Sequence, residues 1–160
     1  MHERIAPCAG KFEKGVHVFP LRVYYEDTDA GGIVYYANYL RFAERARTEM
    51  MHLLDGGYRN LIAERRIAFA VRRCEVDFLA PARLDDVLEV RTSLTEVGGA
   101  SVKAEQAVRR GKDELTRICV RLACIDRAGR AVRIPAPLRA ALETAMRNGA
   151  QIRIKRQREK

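Results

Sequence analysis

Asp27 and Asp29, separated only by Thr28, stand in the run Glu26-Asp27-Thr28-Asp29-Ala30-Gly31-Gly32, just ahead of a stretch with helical periodicity. A carboxylate placed before a helix can attack a carbonyl as a nucleophile, or take a proton from water as a base. The first N–H groups of that helix lack intrahelical partners and carry the positive end of its dipole. They are a natural site for a developing oxyanion. Gly31 and Gly32 let the chain turn and let a reacting carbonyl approach the backbone. The plain alternative is that both aspartates serve the loop or cap the helix, a common use of this residue. Tyr35, Tyr36 and Tyr39 follow, and at least one of them belongs to a core on either reading. Glu44 and Glu49 offer a further carboxylate or simple ion pairs. Arg72, Arg73 and Arg83 have the geometry for phosphate, or are charges on a sheet surface.

These residues need elements to hold them. Val16 to Tyr25 is rich in β-branched and aromatic residues and reads as a strand, with Pro20 pushing its centre to an edge or a bulge. From about Val34 to Leu54, Tyr36, Tyr39, Leu40, Ala43, Ala46, Met50 and Leu53 recur at the helical period, and Gly56-Gly57 stops the run. A short helical piece is expected from about Asn60 to Glu64. Strands follow over Ile67 to Leu79, Val87 to Val97, Ser101 to Arg109 and Glu114 to Asp126. In the second of these, Leu88, Val90, Thr92 and Leu94 alternate against Val87, Glu89, Arg91 and Ser93. Gly98-Gly99 marks a hairpin turn. Pro135 and Pro137 introduce a final helix, about Leu138 to Arg147, closed by Asn148-Gly149. Consecutive strands joined by tight turns imply an antiparallel sheet, and the long helix must pack on it. The expected organisation is a loose leader over 1–15, one domain over 16–148 and a basic tail over 149–160.

Composition narrows the function. The chain has 160 residues and a net charge of +9, which fits one domain with a usable core. No apolar run is long enough for a membrane span, and the first residues lack the apolar stretch of a signal peptide, so a cytoplasmic location is expected. The four cysteines form no C-x-x-C pair and the three histidines are scattered, so no metal site is expected. The positive charge suits an anionic ligand or an acidic partner, but no nucleic-acid motif accompanies it. Part of the charge lies in Arg153 to Lys160, which reads as a solvated tail.

The segment from Tyr24 to Phe42, together with Glu44-Arg45-Ala46-Arg47-Thr48-Glu49 and Phe78-Leu79-Ala80-Pro81-Ala82-Arg83-Leu84-Asp85-Asp86, resembles the 4-hydroxybenzoyl-CoA thioesterase family. It is most similar to the branch associated with the bacterial Tol-Pal system, in which many members carry histidine at the position of Tyr36. The resemblance spans roughly residues 18 to 145. It implies an α+β hotdog fold, an antiparallel sheet of five or six strands wrapped around one long helix. It implies hydrolysis of an acyl-CoA to a free acid and CoA, without metal or cofactor. It makes Asp29 the catalytic carboxylate and the backbone N–H of Tyr36 the polarising donor. Gly31, Gly32, Ile33, Val34, Tyr35 and Tyr39 become the substrate-binding residues. It also implies a homodimer or tetramer with the site between subunits. A thiolate leaving group has a pKa of about 8.5, so expulsion needs no strong acid. The alternative is an acyl-CoA-binding or acyl-carrier-protein-binding protein with little catalysis, and an acidic carrier would suit the charge.

Overall fold

The computed structural model describes residues 6–54, 64 and 66–158, with side chains to residue 149. Six strands form a single antiparallel sheet: β1 (Lys11–Glu13), β2 (Val16–Arg22), β3 (Ile67–Phe78), β4 (Val87–Val97), β5 (Ser101–Arg110) and β6 (Asp113–Asp126). Their order is β1-β2-β4-β5-β6-β3, which leaves the twelve-residue β3 as one outer strand. Two helices lie on it, α1 (Asn38–His52) and α2 (Ala136–Arg158).

The alternation in β4 is what seats them. Leu88, Val90, Thr92 and Leu94 point to the covered face, and on β5 so do Val102, Ala104, Gln106 and Val108. Phe42, Ala43, Ala46 and Met50 of α1 are buried against that face, as are Leu138, Leu142 and Ala145 of α2. Burying each of the larger side chains is worth about 1.5–3 kcal/mol. α1 packs on β2, β4 and β5, and α2 packs on β4 and β2. This is the sheet around a helix that the resemblance implies.

Several boundaries differ from the sequence reading. The leader is not loose throughout, because Lys11–Glu13 pairs with Val16–Val18 as β1. That pairing ends before Pro20, which sits opposite Glu89 with its other side unpaired, so its missing N–H costs the sheet nothing. α1 begins at Asn38 rather than near Val34, since Val34 bridges to Thr28 and donates its N–H to the Ala82 carbonyl at 2.9 Å. α2 does not stop at Asn148-Gly149 but continues to Arg158. Gly149 belongs there because the hairpin turn at Gly15 presses on it: a Cβ on Gly15, already at φ +75°, would lie 2.0 Å from the Gly149 nitrogen. The basic tail is therefore largely helical in its backbone. The expected short helix near Asn60 to Glu64 and the Gly56-Gly57 stop lie outside the described residues, apart from Glu64.

Candidate active site

Asp29 stands on an exposed loop between β2 and α1, and short-range bonds fix its place there. Its N–H donates to the Ile33 carbonyl at 2.9 Å, and its own carbonyl accepts from Gly32 N–H at 3.0 Å. Gly32 takes φ +74°, a left-handed conformation that glycine adopts without strain. The Gly31 N–H donates to Asp29 Oδ1 at 2.8 Å, so one carboxylate oxygen is held. The second, Oδ2, has no partner among the described residues. Asp29 does not cap α1, whose N-cap position is Ala37 and carries no side-chain cap.

Asp27 does the structural work nearby. It accepts the Tyr24 N–H on Oδ2 at 2.8 Å, which closes the 3₁₀ turn Tyr25–Asp27. Its carbonyl takes the Tyr35 N–H and the Asn38 Nδ2 donor, each at 2.9 Å. Asp27 thus ties the aspartate loop to the first residue of α1. Asn38 N–H closes on the Tyr35 carbonyl at 2.8 Å, while the N–H groups of Tyr36 and Ala37 meet no acceptor among the described residues. They are free donors at the positive end of a fifteen-residue helix.

The remaining predicted site residues divide into two groups. Tyr35 and Tyr36 are exposed and touch, with ring centroids 4.8 Å apart. The hydrogen bond between their hydroxyls, with the charge interaction, pushes the Tyr35 phenol above its ordinary range. Tyr36 also meets Phe78 at the end of β3 edge-on at 6.0 Å. Val34 and Tyr39 face the core instead. Tyr39 is buried, and its hydroxyl accepts the Ala82 N–H at 2.9 Å. These two pin the loop and helix to the turn before β4. Ile33, half-buried, bridges Arg83 in the same turn.

In that turn the sequence offered Arg83 for phosphate but gave no role to Asp86. Asp86 Oδ2 accepts the Arg83 N–H at 2.8 Å and Arg110 Nη1 at 2.7 Å. Burial pushes the Asp86 carboxyl up, but these bonds and the arginine charges outweigh it and hold it below the usual range. The folded value being depressed, the stabilisation is present above the ordinary carboxylate range and is lost as pH falls through the folded value. Arg83 is exposed beside the loop, while Arg73 pairs with Glu75 and Arg72 is the extra residue of a β3 bulge. Glu44 pairs with Arg47, which is buried and also donates to Gln106 Oε1 at 2.6 Å. Gln106 Nε2 then reaches the Ala43 carbonyl at 2.9 Å and Thr92 Oγ1 at 3.0 Å. The signal for this network was available: Thr92 and Gln106 are polar residues at inward positions of otherwise apolar alternations.

Residues 31–117 match the family model described as Thioesterase superfamily. An acyl-CoA thioesterase YbgC of Haemophilus influenzae is 47% identical over 108 residues, which cover 68% of this chain and 79% of the relative. A 1,4-dihydroxy-2-naphthoyl-CoA hydrolase of Nostoc punctiforme is 27% identical over 138 residues, covering 86% of this chain and 93% of that protein. Among solved structures, a probable thioesterase from Bartonella henselae superposes with a TM-score of 0.72 at 35% identity, covering 75% of this chain and 99% of that one. The six-stranded antiparallel sheet with its central helix is the hotdog arrangement. No helix among the described residues is long and apolar enough to cross a membrane. With the matched segment running from Gly31 through α1, β3, β4 and β5 into the start of β6, the chain belongs to the thioesterase superfamily.

Proposed function

We propose that this chain is a thioester hydrolase that cleaves acyl-CoA to a free acid and CoA, with Asp29 as its catalytic carboxylate. The observation that carries the reading is the pairing of an exposed carboxylate with unpaired N–H donors at the start of α1. The relatives named for acyl-CoA hydrolysis support it. In the reaction, the thioester carbonyl oxygen accepts a hydrogen bond from the Tyr36 N–H. Asp29 Oδ2 takes a proton from water while the water oxygen bonds to the carbonyl carbon. The tetrahedral intermediate collapses, the C–S bond breaks, and CoA leaves as a thiolate that recovers the proton. The Gly31 N–H keeps the other carboxylate oxygen in place throughout. Gly32, Ile33 and Tyr35 border the reacting group, while Val34 and Tyr39 brace them from the core.

The test is thiol release over a panel of acyl-CoA chain lengths, beside the same acyl groups on acyl carrier protein. Binding without turnover on either carrier sinks the hydrolase reading in favour of an acyl-binding protein. Faster turnover on the protein carrier would make the +9 charge the mark of an acidic protein partner rather than of a nucleotide. Tyr36→Phe keeps the backbone donor and the ring, so it retains most of the activity. A hundredfold loss would assign the hydroxyl a chemical role.

The reading includes assembly. β3 offers an unpaired outer edge, with Val71 and Phe78 exposed along it and Leu79 exposed just beyond, and such edges pair readily. Sedimentation is expected to give a homodimer at least, or a tetramer built from two. An active monomer at micromolar concentration contradicts this. The four cysteines are free, as in a reducing compartment, which goes with a cytoplasmic enzyme.

A further inference from the structure

Leu40, Glu44, Thr48 and Met51 recur at steps of four and three and so share one stripe along α1, with Tyr36 in the turn just ahead of the helix. The stripe is open at that end, where Tyr36 is 60% and Leu40 41% exposed, and closed at the other, where Met51 is buried. β3 runs in the opposite sense beside it. Phe78 meets Tyr36 at one end of the strand, and Phe69 lines a pocket with Met51 at the other. Phe78 also meets Tyr39 of α1 at 5.8 Å, so β3 flanks the stripe as an outer wall.

The pocket at the far end has a volume of about 40 Å³. Its floor is apolar: Met50, Leu94, Val102 and Leu142 beside Phe69 and Met51. Glu44, Arg47 and Thr48 form its mouth. The charges there are already satisfied, Arg47 by Glu44 and Gln106, so the mouth asks for no charged ligand. Two adjacent methionines make the floor adaptable, since that side chain repacks easily.

Distance selects the occupant. Along the helix, at 1.5 Å per residue, Asn38 to Glu44 is about 9 Å and Asn38 to Thr48 about 15 Å, and the turn from Tyr36 to Asn38 adds roughly 3 Å to each. Carbon–carbon bonds of about 1.5 Å in a zigzag cover that with roughly ten to fourteen carbons. A single aromatic ring on the thioester carbonyl would end near Leu40 and leave the pocket empty.

We infer that this stripe and its terminal pocket hold the distal carbons of the substrate's acyl group, so that the enzyme selects straight aliphatic chains of roughly ten to fourteen carbons. The inference rests on the thioesterase reading above and adds the measure of chain length. Thr48 and Met51 are its specificity residues, one at the mouth and one at the floor.

The experiment is kcat/KM for saturated acyl-CoA substrates from two to sixteen carbons, measured on the full chain and on two variants. Thr48→Phe narrows the mouth at a partly exposed position and lowers the ratio of dodecanoyl to butanoyl turnover at least tenfold. Met51→Ala deepens the floor and moves the optimum to chains about two carbons longer. A sizing run and a thermal melt accompany each variant. Opposite shifts in the two variants support the inference, because a general loss of structure would lower all chain lengths together. Wild-type activity with an optimum below about six carbons, or with profiles unchanged in both variants, overturns it and leaves the hydrolase reading standing. A wild-type protein that hydrolyses no acyl-CoA overturns both.

Discussion

Asp29→Asn lowers kcat at least a hundredfold while the protein stays folded and assembled. Asparagine keeps the shape of the side chain and can still accept the Gly31 N–H, so the bonds that fix the loop survive. Fold stability does not hinge on the position, because the carboxylate caps no helix and is exposed. The carboxamide cannot accept a proton from water, nor can it attack a carbonyl. A positioned base is typically worth about 10²–10⁴ in rate, and the unpaired N–H groups just ahead of α1 remain in the variant. KM stays level or falls, since a negative charge no longer faces the electron-rich thioester oxygen. Steady-state hydrolysis beside a thermal melt and a sizing run measures all three. Turnover within a few-fold of wild type in a folded variant would make Asp29 a loop residue and turn attention to Glu44, the exposed carboxylate further along α1.

Gln106→Leu gives the largest loss of stability expected from a single polar residue. Gln106 is 1% exposed and holds three partners at once: the buried guanidinium of Arg47, the Ala43 carbonyl and the Thr92 hydroxyl. Leucine fills a similar volume but satisfies none of them. Arg47 keeps Glu44 on its exposed side and loses its acceptor on the inner side. Unpaired buried groups of this kind cost about 2–4 kcal/mol together, a large part of the roughly 5–15 kcal/mol that keeps a domain folded. The melting temperature is expected to fall by about 5–12 °C. Replacing Arg47 by methionine in the same chain recovers part of the loss, because the stranded charge is then gone. A fall below about 2 °C in the single variant would show that the network contributes nothing net.

What the sequence disclosed was decided by range. The inward set of β4 was readable because a strand's alternation is a local property, and the Asp29 loop was readable because glycines and short polar residues govern a tight turn locally. The start of α1 was not. Val34 and Tyr35 have apolar character at helical spacing, but their N–H groups go to Ala82 and Asp27, and the Ala82 partner lies far along the chain. β1 was missed because Lys11–Glu13 has little strand character and owes its state to pairing with β2. Gly149 read as a stop signal, yet in the fold it is the place where a helix must come close to another backbone. The brace of Asp86 and Arg110 behind the candidate site joins residues that only the sheet brings together. The burial of Val34 and Tyr39 was not legible either, since Tyr39 reaches Ala82 across a long loop.

The contact between Gly15 and Gly149 has a topological consequence. The hairpin that opens the domain and the helix that completes it meet backbone to backbone, so the two ends of the domain are neighbours in space. The fold is in effect a ring cut at one point, and the position of the cut is not what makes it stable. A linker running back along the last turns of α2 to the segment ahead of β1 would close the ring. The exposed turn at Gly99, between β4 and β5, would then serve as well for new termini, leaving the Asp29 loop and α1 in the middle of an uninterrupted chain.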